Sequence, residues 1–205
     1  MGRPASFKPQ DLMEDITALF WRQGYFATSV ADLGETTGLN PGSLYNAFGN
    51  KRGVLTASLE YYGRRSVDRA RKALQQTDDI ELAINGFFDA LIDAVIEDED
   101  AKGCFLVNTW LETAAHDDEV KAQIQRIFDG VEEQFRNALS RAQKRGMISS
   151  EADIPVLSQY LMMTIWGLRV KGRMVQNREL LQAMVEQATS AIRQVVITKD
   201  YDLAL

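Results

Sequence analysis

The chain has 205 residues, room for one domain or two small ones. With 45% hydrophobic and 25% charged residues it sits near the globular average, which excludes a mainly disordered chain. Twenty-three Lys and Arg against 29 Asp and Glu leave a net charge of −6, which taken whole argues against nucleic acid as a partner.

Apolar residues recur at helical spacing almost throughout, and no alternating β-branched run stands between turn signals, so the expected fold class is all-α. A first helix is expected over Pro9 to Gln23, with Leu12, Met13, Ile16, Leu19 and Phe20 on one face and Gly24 as its stop. Thr28 or Ser29 caps a short helix from Val30 to Thr37. Gly38 breaks it, Asn40 caps the next helix, and Pro41 takes the first position, where its missing N–H is harmless. That helix runs from Pro41 to Phe48 and ends at Gly49. Asn50 then caps a long helix to about Gln76, rich in arginine at its end. Helices follow over about Ile80 to Ile96, Cys104 to Ala115, Glu119 to Arg145, Ile154 to Val175 and Glu179 to Ile197, and Thr198 to Leu205 is expected to fray.

One cysteine, Cys104, excludes an intrachain disulfide and leaves no cysteine zinc site, and one histidine, His116, leaves no histidine cluster, so no metal and no cofactor is expected. No phosphate-binding glycine loop, nucleophile elbow or HExxH motif occurs, and no apolar run reaches the ~20 residues of a membrane span. The first residues lack the apolar core of a leader, so a cytoplasmic protein without a membrane partner is expected. Catalysis is not expected, although a small helical enzyme using carboxylates is not excluded.

The charge is unevenly placed. Residues 1–77 hold ten Lys and Arg against seven Asp and Glu, net +3, and the remainder thirteen against twenty-two, net −9. The acidity therefore belongs to the later part and does not bar the first part from DNA. There, the spacing of Ser29 to Phe48 is that of a helix-turn-helix, or equally of an ordinary helical corner.

The segment FWRQGYFATSVADLGETTGLNPGSLYNAFGNKRGVL resembles the TetR family of bacterial transcription repressors. The resemblance is carried by Leu19, Phe20, Gly24, Tyr25, Thr28, Ser29, Val30, Leu33, Thr37, Gly38, Leu39, Gly42, Ser43, Leu44, Tyr45, Phe48, Lys51 and Leu55. It spans some forty residues. It implies a helix-turn-helix head over 1–52 and a helical ligand-binding and dimerisation body over 53–205, joined by the long helix. It further implies a homodimer that binds double-stranded operator DNA and leaves it when a small-molecule effector enters the body.

On the matched positions, Thr28, Ser29, Tyr45 and Lys51 are expected phosphate contacts, and Ser43 touches backbone or base. Thr37, Asn40, Pro41 and Gly42 complete the DNA-binding set, Gly42 by allowing close approach. Leu33, Leu39, Leu44 and Phe48 hold the head together. Gly2, Arg3, Pro4 and Lys8 form an arm suited to a neighbouring groove or a solvated tail. Three positions depart from the family. Asn46 replaces a common His and suits an adenine edge. Arg52 stands where an acid is common and adds a phosphate contact, and Gly53 replaces a helix former and weakens the long helix's first turn.

In the body, Phe88, Cys104, Phe105, Asn108, Trp110, Phe128, Met162, Trp166 and Arg169 are candidates to line an effector cavity, against ordinary core packing. Thr109, Glu112 and His116 are further polar candidates, His116 more naturally a surface residue. Cys104, at a helix start beside Lys102, gives an alternative sensor of oxidants or electrophiles. Leu157, Leu161, Ile165, Leu168, Met184, Ala188 and Ile192 are the expected dimer stripe. A helical ligand-binding protein without DNA activity is the remaining alternative.

Overall fold

The computed structural model describes residues 9–196; the N-terminal arm and the expected C-terminal fray lie outside them. Among the described residues the chain is helical, and its one β-type pairing is an isolated antiparallel bridge between Ile148 and Val196. The helices are α1 (Pro9–Gln23), α2 (Val30–Thr37), α3 (Pro41–Phe48), α4 (Lys51–Ala73), α5 (Ile80–Ile96), α6 (Phe105–Thr113), α7 (Asp118–Lys144), α8 (Ile154–Met174) and α9 (Arg178–Arg193).

Their ends follow local chemistry. Asp79, Asp153 and Asn177 each accept a backbone N–H from the first turn of α5, α8 and α9. Gly24 and Gly38 take the left-handed conformation, φ +85° and +67°, where α1 and α2 stop.

Two compact units result. The first contains Met1–Ser66 and Cys104–Ile127, and the second Val67–Gly103 and Phe128–Leu205. In the first, α1 packs on α2 and α6, and α2 on α3. Its centre is made by Ile16, Leu19, Phe20, Leu33, Leu44, Val54, Leu55 and Leu59, all buried. In the second, α5 packs on α8 and α9, and α8 on α9. Its core joins Phe87, Phe88, Ile92, Phe135, Leu139, Leu161 and Leu181, with Phe87 edge-on to both Phe88 and Phe135.

Candidate nucleic-acid interface

Ser29 opens α2 with a capping box: its Oγ accepts from the Asp32 N–H at 3.1 Å, and Asp32 Oδ2 accepts from the Ser29 N–H at 2.7 Å. That backbone donation holds the Asp32 carboxyl below its usual range. Thr37 closes the turn, its hydroxyl donating to Leu33 O at 2.6 Å and accepting from the Leu39 N–H at 3.2 Å. Asn40 caps α3 by accepting from the Ser43 N–H at 2.9 Å, and Pro41 follows at the first position. Leu44 is fully buried. It anchors one side of α3, which leaves Pro41, Gly42, Ser43, Tyr45, Asn46 and Ala47 exposed on the other. A side chain at position 42 would bring a Cβ to 3.3 Å from the capping oxygen of Asn40, so glycine keeps the cap uncrowded.

The hydroxyl of Thr28 is turned inward: the residue is buried and donates to Gly24 O at 2.6 Å. Thr37 is buried too. Both therefore shape the head, and the polar side chains that reach solvent around α3 are Ser29, Asn40, Ser43, Tyr45 and Asn46. Lys51 stands beside them at the start of α4. Its Nζ lies 4.6 Å from the Tyr25 ring centroid and donates to Phe26 O at 3.4 Å, which aligns the ammonium without neutralising it.

Two expectations about α4 change. Arg52 is held by carboxylates: Nε donates to Asp117 Oδ2 at 2.5 Å, and Nη2 to Asp117 Oδ1 at 2.8 Å and Glu119 Oε2 at 2.9 Å. A guanidinium forked onto a carboxylate in this way is a bracket between α4 and the start of α7, not an unclaimed phosphate contact. At Gly53, a Cβ would fall 1.8 Å from Phe48 O. Glycine is required there by sterics, and the helix-propensity argument for a weakness is overridden.

Glu112 on α6 has a role that composition and periodicity did not show. Its Oε2 accepts from the Tyr25 N–H at 2.9 Å and its Oε1 from the Phe26 N–H at 2.7 Å, so the carboxylate grips the turn leading into α2. His116 is exposed, edge-on to Phe26 at 6.2 Å.

The Arg52 bracket carries a pH dependence. Hydrogen bonds from Arg52 lower the Asp117 carboxyl from 3.8 to about 2. A carboxyl depressed in the folded state adds stability that is present above its unfolded value and lost as pH falls through its folded one. Between about pH 4 and pH 2 the wild type is therefore expected to lose more stability than Asp117→Asn, which keeps the cap on the Val120 N–H and lacks the charge. Denaturation midpoints collected across that range test this; parallel acid limbs would contradict it.

The effector candidates divide between the units. Cys104, Phe105, Asn108 and Trp110 belong to the first, where buried Phe105 is edge-on to Tyr62 at 5.5 Å and lies 6.3 Å from Trp21. Cys104 precedes α6 without capping it, and Lys102 is paired with Asp98 and Asp100, so its ammonium is already neutralised. Phe88, Phe128, Met162, Trp166 and Arg169 belong to the second, with Phe128 and Trp166 edge-on at 5.3 Å.

Most of the residues expected in the dimer stripe are not exposed. Leu161, Ile165, Leu168 and Ile192 are buried in the core of their own unit, with Leu157 packed partly against it and Ala188 half-buried. Met184 is exposed. The apolar side chains that α8 exposes are Val156, Met163, Trp166, Val170 and Met174, and Leu180 joins Met184 on α9. Gly167 opens onto empty space, with nothing within 4 Å of a Cβ.

A capped helix pair that exposes one face of its second helix has the geometry of a DNA-binding helix-turn-helix. Residues 12–57 match the family described as "Bacterial regulatory proteins, tetR family", and residues 83–195 match "Tetracyclin repressor-like, C-terminal domain". The chain belongs to the TetR family of bacterial transcription regulators. It is 28% identical over 173 residues to the HTH-type transcriptional repressor ComR of Escherichia coli (strain K12), covering 84% of this chain and 82% of that one. It is 40% identical over 70 residues to the HTH-type transcriptional repressor BdcR of the same organism, 34% of this chain and 36% of that one. Among solved structures it is similar to a cysteine mutant of the TetR family regulator CifR complexed with 26 bp of operator DNA. The TM-score is 0.76 at 25% identity, over 92% of this chain and 99% of that one. Among the described residues no helix is long and apolar enough to cross a membrane.

Proposed function

We propose that this regulator represses transcription as a homodimer, reading its operator through the exposed face of α3 and leaving it when a small molecule binds the body. The observation that carries the reading is that face itself: Leu44 and the Asn40 cap fix α3 while Ser43, Tyr45 and Asn46 remain exposed. Asn46 reads a base edge, by the two-pronged pairing its amide can make with adenine. Ser29, Ser43, Tyr45 and Lys51 hold phosphates and set the register. The copies meet through the exposed apolar stripe of α8 and α9, whose Met163 and Val170 stand two turns apart on one line. One short helix reads few base pairs, and two heads on one duplex supply the missing affinity and match a two-fold symmetric site.

The test is gel-shift titration of the DNA upstream of the chain's own coding sequence at several salt concentrations. The bound species is expected to contain two chains. Asn46→Ala is expected to weaken binding by roughly 5- to 150-fold, the equivalent of ~1–3 kcal/mol for one lost base contact, with an unchanged salt slope. Lys51→Ala is expected to weaken binding to all sequences alike and to lower the salt slope by about 1 per head. Wild-type affinity in both variants would remove α3 and Lys51 from the interface.

A further inference from the structure

The loop that joins α4 to α5 and the last turns of α7 border a cavity of about 100 Å³. Its back is apolar and buried, with Leu74, Ile80, Ala138 and Ala142. Its outer wall is polar and exposed, with Thr77, Asp78, Arg141 and Arg145. All of it belongs to the second unit, and none of the effector candidates lines it.

Two guanidiniums meet there. The Arg145 N–H donates to Arg141 O at 3.1 Å, so the two residues stand one helical turn apart on one side. Like charges at that spacing repel. Their present partners occupy few of their donors. Arg141 Nη2 donates to Leu74 O at 3.2 Å, which uses one of the five N–H groups a guanidinium carries. Arg145 pairs with Asp78, but these side chains are 51% and 83% exposed, and an ion pair so open to water contributes little. Two arginines against one aspartate leave the cavity at +1, although residues 78–205 together carry −9. An anion held between the arginines would offset their repulsion.

The volume limits the anion's size. The cavity is smaller than the ~150 Å³ that takes a benzene ring, so it accepts a compact group and no sugar or aromatic ring. A phosphate group has that bulk. Its oxygens outnumber those of a carboxylate, so it can engage both guanidinium forks at once. Thr77 adds a donor: its hydroxyl oxygen accepts from the Asp79 N–H at 3.1 Å, which leaves the hydroxyl proton to give.

We propose that this cavity binds a phosphate group, free or at the end of a small ester whose remainder lies in solvent, held by Arg141 and Arg145. The site is separate from the operator contacts and from the effector candidates, and it depends on neither.

The test is methyl NMR of the full chain, titrated with inorganic phosphate, glycerol 3-phosphate and acetate at constant ionic strength. The methyl groups of Ile80, Ala138 and Ala142 report the cavity because these residues line it. They are expected to shift with at least one of the two phosphates, with half-saturation at least about tenfold below that of acetate. Arg145→Gln is expected to raise the half-saturation by about tenfold or more, the loss of one charged hydrogen-bond donor. It costs the fold only the exposed pair with Asp78. Asp78→Asn is expected to lower the half-saturation, because it removes the carboxylate that competes for Arg145. Tighter binding of the ester than of inorganic phosphate assigns the site to a phosphate monoester, and the reverse order assigns it to the free ion. The proposal is overturned if these methyl groups move with neither phosphate, if acetate binds as tightly, if Arg145→Gln binds like the wild type, or if Asp78→Asn binds more weakly.

Discussion

Gly53→Ala is expected to unsettle the DNA-reading head, although alanine is the better helix former by ~1 kcal/mol. The new Cβ would lie 1.8 Å from the carbonyl oxygen of Phe48 and 3.0 Å from its carbonyl carbon, and these are backbone atoms that cannot rotate away. Relief requires the end of α3 and the start of α4 to separate by more than an ångström. Both are pinned: Leu44 by burial in the head, Val54 and Leu55 likewise, and Asn50 by accepting from the Gly53 N–H at 2.9 Å. Forcing atoms into a packed site costs ~1–3 kcal/mol and occasionally more, which outweighs the gain in propensity.

For a chain of this size each kcal/mol moves the thermal midpoint by roughly 2–4 °C, so a fall of several degrees is expected. The displaced helix is the one that reads DNA, so operator affinity is expected to drop at least tenfold even where the variant remains folded. Gly86→Ala is the internal control. That glycine is exposed within α5 with nothing within 4 Å of a Cβ, and there the same substitution is expected to stabilise by ~0.5–1 kcal/mol. Equal midpoints for the two variants would refute the steric argument.

The contrast between these glycines bears on what a sequence reveals. The elements of the head were legible because their ends are written in local chemistry. Ser29 with Asp32, Asn40 with Pro41, and Gly24, Gly38 and Gly49 fix α1 to α3 with the expected bounds. Further along, bounds moved by one to four residues: α6 was expected from Cys104 and is observed from Phe105, α4 ends at Ala73 against about Gln76, and α9 at Arg193 against Ile197. Position 53 was misjudged because propensity is a property of one residue, whereas the constraint is a carbonyl five positions away that comes close only once the turn is folded.

Arg52 and Thr28 failed for a related reason. A cation or hydroxyl near a helix start suits a phosphate, but Asp117 and the Gly24 carbonyl claim these two first, and both claims depend on tertiary placement. Much of the stripe expected on α8 is taken up by packing within its own unit, because that helix is apolar on more than one side. Leu161, Ile165 and Leu168 satisfy a helical period as well as Met163 and Val170 do, and only packing shows which set its own core consumes.

Glu112→Ala is expected to weaken operator binding without removing any atom from the DNA interface. The carboxylate accepts the N–H groups of Tyr25 and Phe26, in the turn that delivers Ser29 to the start of α2. Through the same two residues it steadies Lys51, whose ammonium rests over the Tyr25 ring and donates to Phe26 O. A hydrogen bond to a charged group contributes ~1.5–3 kcal/mol. The Phe26 N–H is at the surface and can be hydrated, while Tyr25 is half-buried, so a net loss of ~2 kcal/mol is expected for alanine. Glu112→Gln retains one acceptor oxygen and is expected to fall between alanine and the wild type. Thermal midpoints and gel shifts on the same three proteins decide between two roles for the residue. If Glu112 positions the head, both quantities fall together in the order Glu, Gln, Ala with no effector present. If instead it fixes an effector, as its place on α6 first suggested, effector-free operator affinity stays at the wild-type value and only the response to the effector changes.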